Sequence, residues 1–260
     1  MAYQTLRFDN DGPLGVLTLN RPERLNALSR GLIADLTHLV GELEVDQSVR
    51  VIIVTGEGRA FCAGADIKER AENPDDFALQ RTSAQLSPTY RRLEKLPQVT
   101  IAAINGPAAG GGLELAMACD LRIAASSATM ALPEINLGIL PGAGGTQRLP
   151  RLIGVARAKE LMLTARFIDA ATAHAWGLVN AVAESATLMD EARKLAGVIL
   201  EKPPLSVAHI KMAANVAGET DIDSGIDFEQ RCSTVLAMSE DRREGYEAFV
   251  NKRKPVFKGR

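Results

Sequence analysis

Aromatic residues are scarce: Phe, Tyr and Trp together make up 4% of the 260 residues. So few rings call for an aliphatic core and leave the surface short of stacking platforms for bases. An excess of one charge is missing too, since 30 Lys and Arg face 32 Asp and Glu for a net charge of -2. That balance offers no electrostatic footprint for nucleic acid or an anionic membrane, and neither is expected as a partner. The three cysteines, Cys62, Cys119 and Cys232, are far apart and outside any Cys-x-x-Cys pattern, which suits free thiols in a reducing compartment such as the cytoplasm. His38, His174 and His209 stand alone as well, so no metal site is expected. An uncharged run of 18 residues does occur, Leu96 to Leu113, but Pro97, Gln98, Thr100, Asn105, Gly106, Pro107 and three further glycines make it unfit to cross a bilayer. The N-terminal stretch has acids and no apolar core, unlike a secretory signal.

Hydrophobic residues at 46% and charged residues at 24% are ordinary for a soluble globular protein, which sets aside disordered and fibrous classes. Two alternating runs, Thr5 to Phe8 and Gly15 to Asn20, flank a turn-rich Asp-Asn-Asp-Gly-Pro and predict a β-hairpin. Apolar positions from Asn26 to Glu44 fall at helical spacing with Ser29 as N-cap, and Val51 to Thr55 is a β-branched run suited to a strand buried on both faces. A helix from about Pro74 to Leu96, a strand from Val99 to Ile104, and strands at Leu121 to Ala125 and Met130 to Leu132 continue the α/β pattern. After Arg148 the chain reads as mostly helix, with Leu178 to Val182 as its one strand. The expected division is an α/β body over 1–195 and a helical region over 196–260.

Charge is unevenly spread. From Leu96 to Gln147, 52 residues carry only Glu114, Asp120, Arg122 and Glu134. An unpartnered buried carboxylate costs several kcal/mol, so each of these needs a reason. Asp120 and Arg122, two apart at a strand start, are accounted for by pairing with each other or with neighbours. Glu114 follows Gly110-Gly111-Gly112-Leu113 at a helix start, and Glu134 follows a proline in a strand-to-loop passage. Either could cap a helix. Together, in small and apolar surroundings, they suit acid/base chemistry in which one carboxyl is ionised and its neighbour neutral.

Two glycine loops, Gly56 to Asp66 and Gly106 to Gly112, each follow a strand and lead to a helix, so their backbone N–H groups could converge on one oxygen as an oxyanion hole. Their spacing fits neither a dinucleotide fingerprint nor a phosphate loop, and no Gly-x-Ser-x-Gly elbow occurs. Cys62 has no histidine placed to activate it and is expected to be a packed thiol.

Three blocks carry a family resemblance: AFCAGADIKE (Ala60 to Glu69), IAAINGPAAGGGLELAMACDLRIA (Ile101 to Ala124) and PEINLGILPGAGGTQRLPRLIG (Pro133 to Gly154). They resemble the signature blocks of the enoyl-CoA hydratase, or crotonase, family, and the likeness spans essentially the whole chain. It implies a spiral of ββα repeats with a C-terminal helical trimerisation region, assembled as a trimer or dimer of trimers. It implies a coenzyme A thioester as substrate, with no separate cofactor or metal. By motif position it makes Glu114 and Glu134 the catalytic pair and the N–H groups of Ala65 and Gly111 the oxyanion hole. Ala63, Asp66, Ile67 and Lys68 would line the passage for the CoA moiety, and Gly142 would help place the water. Phe249 and Lys252 match residues that reach the CoA of a neighbouring subunit. Ala109 stands where many relatives have leucine. Retention of both glutamates favours hydration of trans-2-enoyl-CoA. The blocks FCAGADIKERA and RIAASSA also resemble methylglutaconyl-CoA hydratase, some of whose relatives bind AU-rich RNA; low net charge and few aromatics oppose an RNA role.

Overall fold

The computed structural model describes residues 3–72 and 76–260. β1 (Leu6–Asp11) and β2 (Leu14–Leu19) form the antiparallel hairpin, turning at Gly12 with φ +57°. Helix α1 (Arg30–Leu43) starts later than its apolar spacing suggests. Ser29 caps it by accepting the Leu32 N–H at 3.1 Å, whereas Asn26 sits at φ 55° and Leu28 forms a parallel bridge with Ala65. Leu32, Ile33, Leu36, Leu39, Val40 and Leu43 all turn inward from α1. β3 (Val51–Gly56) is buried along its whole length and lies parallel to β2, as a β-branched run allows.

Next come α2 (Ile67–Glu72), α3 (Asp76–Lys95), β4 (Val99–Ile104), β5 (Ala108–Ala109) and α4 (Gly111–Ala118). Pro74, the expected start of α3, lies outside the described residues. β6 (Leu121–Ala125) and β7 (Thr129–Ala131) follow, then α5 (Gly145–Ile153), α6 (Val155–Thr164), β8 (Ile168–Asp169) and α7 (Ala170–Trp176). The strand expected over Leu178 to Val182 is shorter, β9 (Ala181–Ala183). Gly177 at φ 84° closes α7, and the N–H groups of Leu178 and Val179 both return to the Ala173 carbonyl, so those residues finish the helix. The chain ends with α8 (Leu188–Leu200), α9 (Pro204–Ala217), α10 (Ile222–Ala237) and α11 (Glu240–Val250).

The large sheet has the order β1-β2-β3-β4-β6-β9 and is parallel from β2 onward. A second, small sheet runs β5-β7-β8 and is prolonged by the bridges Cys62 to Ala108 and Leu28 to Ala65. Each turn of the chain thus lays one strand in the large sheet and a short segment in the small one before a helix returns. That is the expected spiral of ββα repeats. Of the small sheet, β7 is the strand expected over Met130 to Leu132, one residue earlier, whereas β5 and β8 escaped the sequence pattern because two-residue strands carry no periodicity.

The core between α1, α3 and the large sheet is aliphatic, with Tyr90 and Phe61 its largest fully buried side chains. Residue 195 falls inside α8, which packs against β3, β4 and β6. On α9 to α11 and their connections, Ile210, Ile222, Met238, Tyr246 and Phe249 are exposed in the single chain. Among the described residues no helix is long and apolar enough to cross a membrane.

Candidate active site

A cleft of about 680 Å³ opens where the loop before α2, the start of α4 and the passage from Pro133 to Ala143 meet. Both glutamates line it, together with Ala63, Ala65, Ile67, Gly111 and Gly142. The loops approach each other closely because they carry little side chain. A Cβ on Gly64 would stand 2.7 Å from the Ala109 carbonyl oxygen, and one on Gly111 would stand 2.6 Å from Leu28 Cδ1. Substitution of either glycine would push the walls apart.

Glu114 lies in the first turn of α4 and is only 2% exposed. It does not cap its own helix. Its Oε1 accepts the N–H groups of Ala143 at 2.8 Å and Gly145 at 2.7 Å, from the loop that opens α5. Arg148 secures that loop: its guanidinium donates to the Ala143 carbonyl at 3.0 Å and pairs with Glu94 at 2.9 Å. Burial raises the Glu114 pKa, while the two N–H donors and the Arg148 charge oppose the rise by favouring the carboxylate. The result is a desolvated carboxylate with one oxygen held and Oε2 left over.

Glu134 opens a 3-10 turn, Glu134–Leu137, that follows Pro133. Its Oε2 is buried without a hydrogen-bond partner among the described residues. Burial, with a smaller contribution from the negative charge of Glu114, pushes its pKa up to about 7; a hydrogen bond from its own backbone N–H opposes the rise. The two acids therefore sit in different environments on one cleft. One is braced by donors and the other favours its proton.

Ala65 and Gly111 both line the cleft. In the bridge with Leu28, the Gly64 carbonyl and the Asp66 N–H make the ladder bonds, so the Ala65 N–H points to the opposite side. Gly111 is the first residue of α4 after Gly110, which leaves its N–H among the orphan donors of a helix start. Tyr90, buried on α3, donates to the Gly111 carbonyl at 2.9 Å and holds that residue from behind.

Asp66 and Lys68 are not brought to the cleft. The Asp66 carboxylate pairs with Arg21 at 2.9 Å and accepts the Glu69 N–H at 3.2 Å, capping α2, while Lys68 is exposed. Phe249, 85% exposed on α11, and Lys252, at φ 52° beyond it, do not line the cleft of their own chain. Cys62 is fully buried and its thiol is pushed up to about 12 by burial, as befits a packed residue. The cleft also holds residues that sequence reasoning left without an individual role: Leu28, Arg70, Leu86, and the exposed trio Leu137, Ile139 and Leu140. That trio was detectable as large apolar side chains in a glycine-rich loop. The family resemblance also makes side chains over 70–95 the ones on which acyl-chain preference would depend, and residues 73–75 of that stretch lie outside the described residues.

Asp120 and Arg122 are structural. Asp120 pairs with Lys211 and accepts from Thr100, and Arg122 donates to the carbonyls of Cys119 and Leu178, both at 2.7 Å.

Residues 10–260 match the enoyl-CoA hydratase/isomerase family. The chain is 43% identical to an enoyl-CoA isomerase/hydratase of Mycosarcoma maydis, covering 94% of this chain and 92% of that one. It is 42% identical to a crotonyl-CoA hydratase of Syntrophomonas wolfei, covering 99% of both. Its fold superposes on the crystal structure of an enoyl-CoA hydratase from Bacillus anthracis with a TM-score of 0.96 at 42% identity, covering 99% of this chain and 100% of the other. With the ββα spiral, the paired glutamates and the full-length similarity in agreement, the chain belongs to the enoyl-CoA hydratase/isomerase, or crotonase, family.

Proposed function

We propose that the protein is an enoyl-CoA hydratase, adding water reversibly and syn across the double bond of a trans-2-enoyl-CoA to give a 3-hydroxyacyl-CoA. The observation that carries this reading is the contrast between two carboxyls on one apolar cleft: Glu114 braced by two N–H donors, Glu134 buried with an unpartnered oxygen and a raised pKa.

In this reading the thioester carbonyl rests on the N–H groups of Ala65 and Gly111. Negative charge gathers on that oxygen as C3 is attacked, and each fixed donor could contribute roughly 3 kcal/mol of transition-state stabilisation. Oε1 of Glu114 is already engaged, so Oε2 takes the water proton as the oxygen bonds to C3. Glu134 delivers its proton to C2. Atoms balance: water supplies OH to C3, Glu134 supplies H to C2, and the proton accepted by Glu114 leaves the pair with one proton, as it began. Gly142 on the rim supports the placement of the water. Nothing in this sequence of steps asks for a metal or a separate cofactor. The exposed apolar residues of α9 to α11 support assembly through that region.

The test is an assay of the purified protein with crotonyl-CoA, following loss of enoyl absorbance. Turnover is expected, and Glu114→Gln and Glu134→Gln should each lower kcat by at least a thousandfold with unchanged circular dichroism. Intact binding of CoA thioesters without hydration of any short- or medium-chain enoyl-CoA would overturn the reading.

A further inference from the structure

The two N–H donors that hold Oε1 of Glu114 sit on one stretch of backbone, at Ala143 and Gly145, on either side of the Ala143 carbonyl. That carbonyl accepts Arg148 Nη1 at 3.0 Å. Gly144, between the two donors, is at φ 105°, and a Cβ there would collide with Arg148 Nη1, so the guanidinium reaches the loop only across a glycine. With its other edge Arg148 forks onto Glu94: Nη2 donates to Oε2 at 2.9 Å and Nε to Oε1 at 3.4 Å. Arg91 donates to the same Oε2 at 2.8 Å and also pairs with Glu219, just past the end of α9. Burial works against the Glu94 charge, but the hydrogen bonds and charges of Arg148 and Arg91 outweigh it and hold that carboxyl below the usual range. The turn from α9 to α10 is tied to the same place twice more. Asn215 donates to the Glu94 carbonyl at 3.3 Å, and Arg151 of α5 donates to the Gly218 carbonyl at 3.2 Å and to the Gln147 carbonyl at 2.8 Å.

An isolated surface ion pair contributes little, and the Glu219 side chain is 44% exposed. The network differs because its inner members are largely desolvated, with the Arg148 side chain 13% exposed and that of Glu94 21%. There a bidentate carboxylate fixes the plane of the guanidinium, and without it Arg148 is free to turn away from the Ala143 carbonyl. We infer that the α9–α10 turn is a remote positioning element for the reaction: through Glu219, Arg91, Glu94 and Arg148 it fixes the Ala143–Gly145 backbone that orients the Glu114 carboxylate. Glu94 and Arg148 are positioning residues and not catalytic ones, since neither lines the cleft. The C-terminal helices thereby act on the chemistry within a single chain, apart from any part they take in assembly. The inference rests on the hydratase reading for the step that Glu114 performs. Misplacing a catalytic group by about 1 Å is enough to cost on the order of a hundredfold in rate.

Two measurements on the full chain test this, one of them without catalysis. Hydrogen–deuterium exchange of a peptide covering residues 142–147 reports the Ala143 and Gly145 N–H bonds to Glu114. Glu94→Gln and Glu219→Gln should each speed that exchange severalfold with unchanged circular dichroism. With crotonyl-CoA, Arg148→Met should lower kcat about a hundredfold, Glu94→Gln about tenfold and Glu219→Gln about threefold, all with KM within about twofold of the wild type. Adding Glu94→Gln to Arg148→Met should cost nothing further, because the two act through one contact. The acid limb of the kcat/KM profile should move to higher pH in Arg148→Met, since a charge that favours the Glu114 carboxylate is gone while Glu134 and Tyr90, which also face it, remain. Arg148→Lys should return part of both effects, and a merely structural loss would leave the limb in place. Additive losses, an unmoved acid limb, or unchanged exchange in Glu94→Gln and Glu219→Gln would each overturn the inference. If Arg148→Met does not fold, the two glutamine variants, which keep the size of each side chain, carry the test alone. Faster exchange in them with no hydration of crotonyl-CoA by the wild type would instead strike the hydratase reading alone.

Discussion

Oε1 of Glu134 lies 3.1 Å from the point where a Cβ on Gly110 would stand, so the acid from one loop rests against the bare backbone of the other. Gly110 is held at φ 53° and ψ -130°, a conformation open to glycine and strained for any other residue, with its N–H bonded to the Ala131 carbonyl at 3.0 Å. Gly110→Ala should therefore act twice. The backbone cost is about 1–3 kcal/mol, and the methyl group also displaces the Glu134 carboxyl from the cleft. Gly154→Ala separates the two effects, because Gly154 also has positive φ, at 81°, but open space where the methyl would go. Both variants should lose stability in urea melts, and only Gly110→Ala should lose kcat by tenfold or more. Equal kcat losses would show that the contact with Glu134 is unimportant.

The raised pKa of Glu134 sets a pH dependence with a definite sign. A carboxyl whose pKa is raised to about 7 keeps its proton up to that pH and loses it above. Hydration draws on the pair carrying one proton, on Glu134, while dehydration draws on the same total with the proton on Glu114. No proton is taken up overall, so the two directions share one profile. We expect kcat/KM for crotonyl-CoA to fall with a one-proton slope above about pH 7, and kcat/KM for 3-hydroxybutyryl-CoA to fall in parallel. At low pH both should fall again as Glu114 is protonated. A profile flat to pH 9 would mean that Glu134 need not hold a proton in the free enzyme.

Much of this site is legible in the sequence because burying charge is expensive. In a segment so poor in charge, Glu114 and Glu134 stood out without any knowledge of the fold, and the glycines beside them marked where backbones must approach. Asp66 shows what a sequence position leaves out. The resemblance places it along the CoA passage, and the fold adds that its carboxylate caps α2 and pairs with Arg21, 45 residues away in sequence. Tyr90, Arg70 and Leu86 were legible only as members of a stretch, not as individual contacts. They come from helices whose amphipathic pattern shows that one face is buried but not which loop it meets. The same limit applies to the small sheet, where bridges such as Cys62 to Ala108 depend on the spiral being already wound.

The join between the α/β body and the C-terminal helices can be tested through one buried ion pair. Lys211 on α9 is 6% exposed in its side chain, and its Nζ lies 2.7 Å from Asp120 Oδ2 and 2.7 Å from the Gln98 carbonyl oxygen. The same Asp120 oxygen accepts the Thr100 N–H at 2.7 Å and its hydroxyl at 2.9 Å, so the carboxylate ties the start of β6 to β4. Lys211→Met keeps most of the stem but leaves that carboxylate with two neutral donors from Thr100 and without its directly paired cation. Breaking one side of such a pair typically costs about 3–5 kcal/mol, much of it the penalty on the charge left behind. Adding Asp120→Asn removes that charge, so the double variant should recover a substantial part of the loss, and urea unfolding of the wild type, the two single variants and the double variant measures the coupling directly. If the single Lys211→Met change costs under about 1 kcal/mol, the pair is solvated in solution and contributes little to holding α9 to the body.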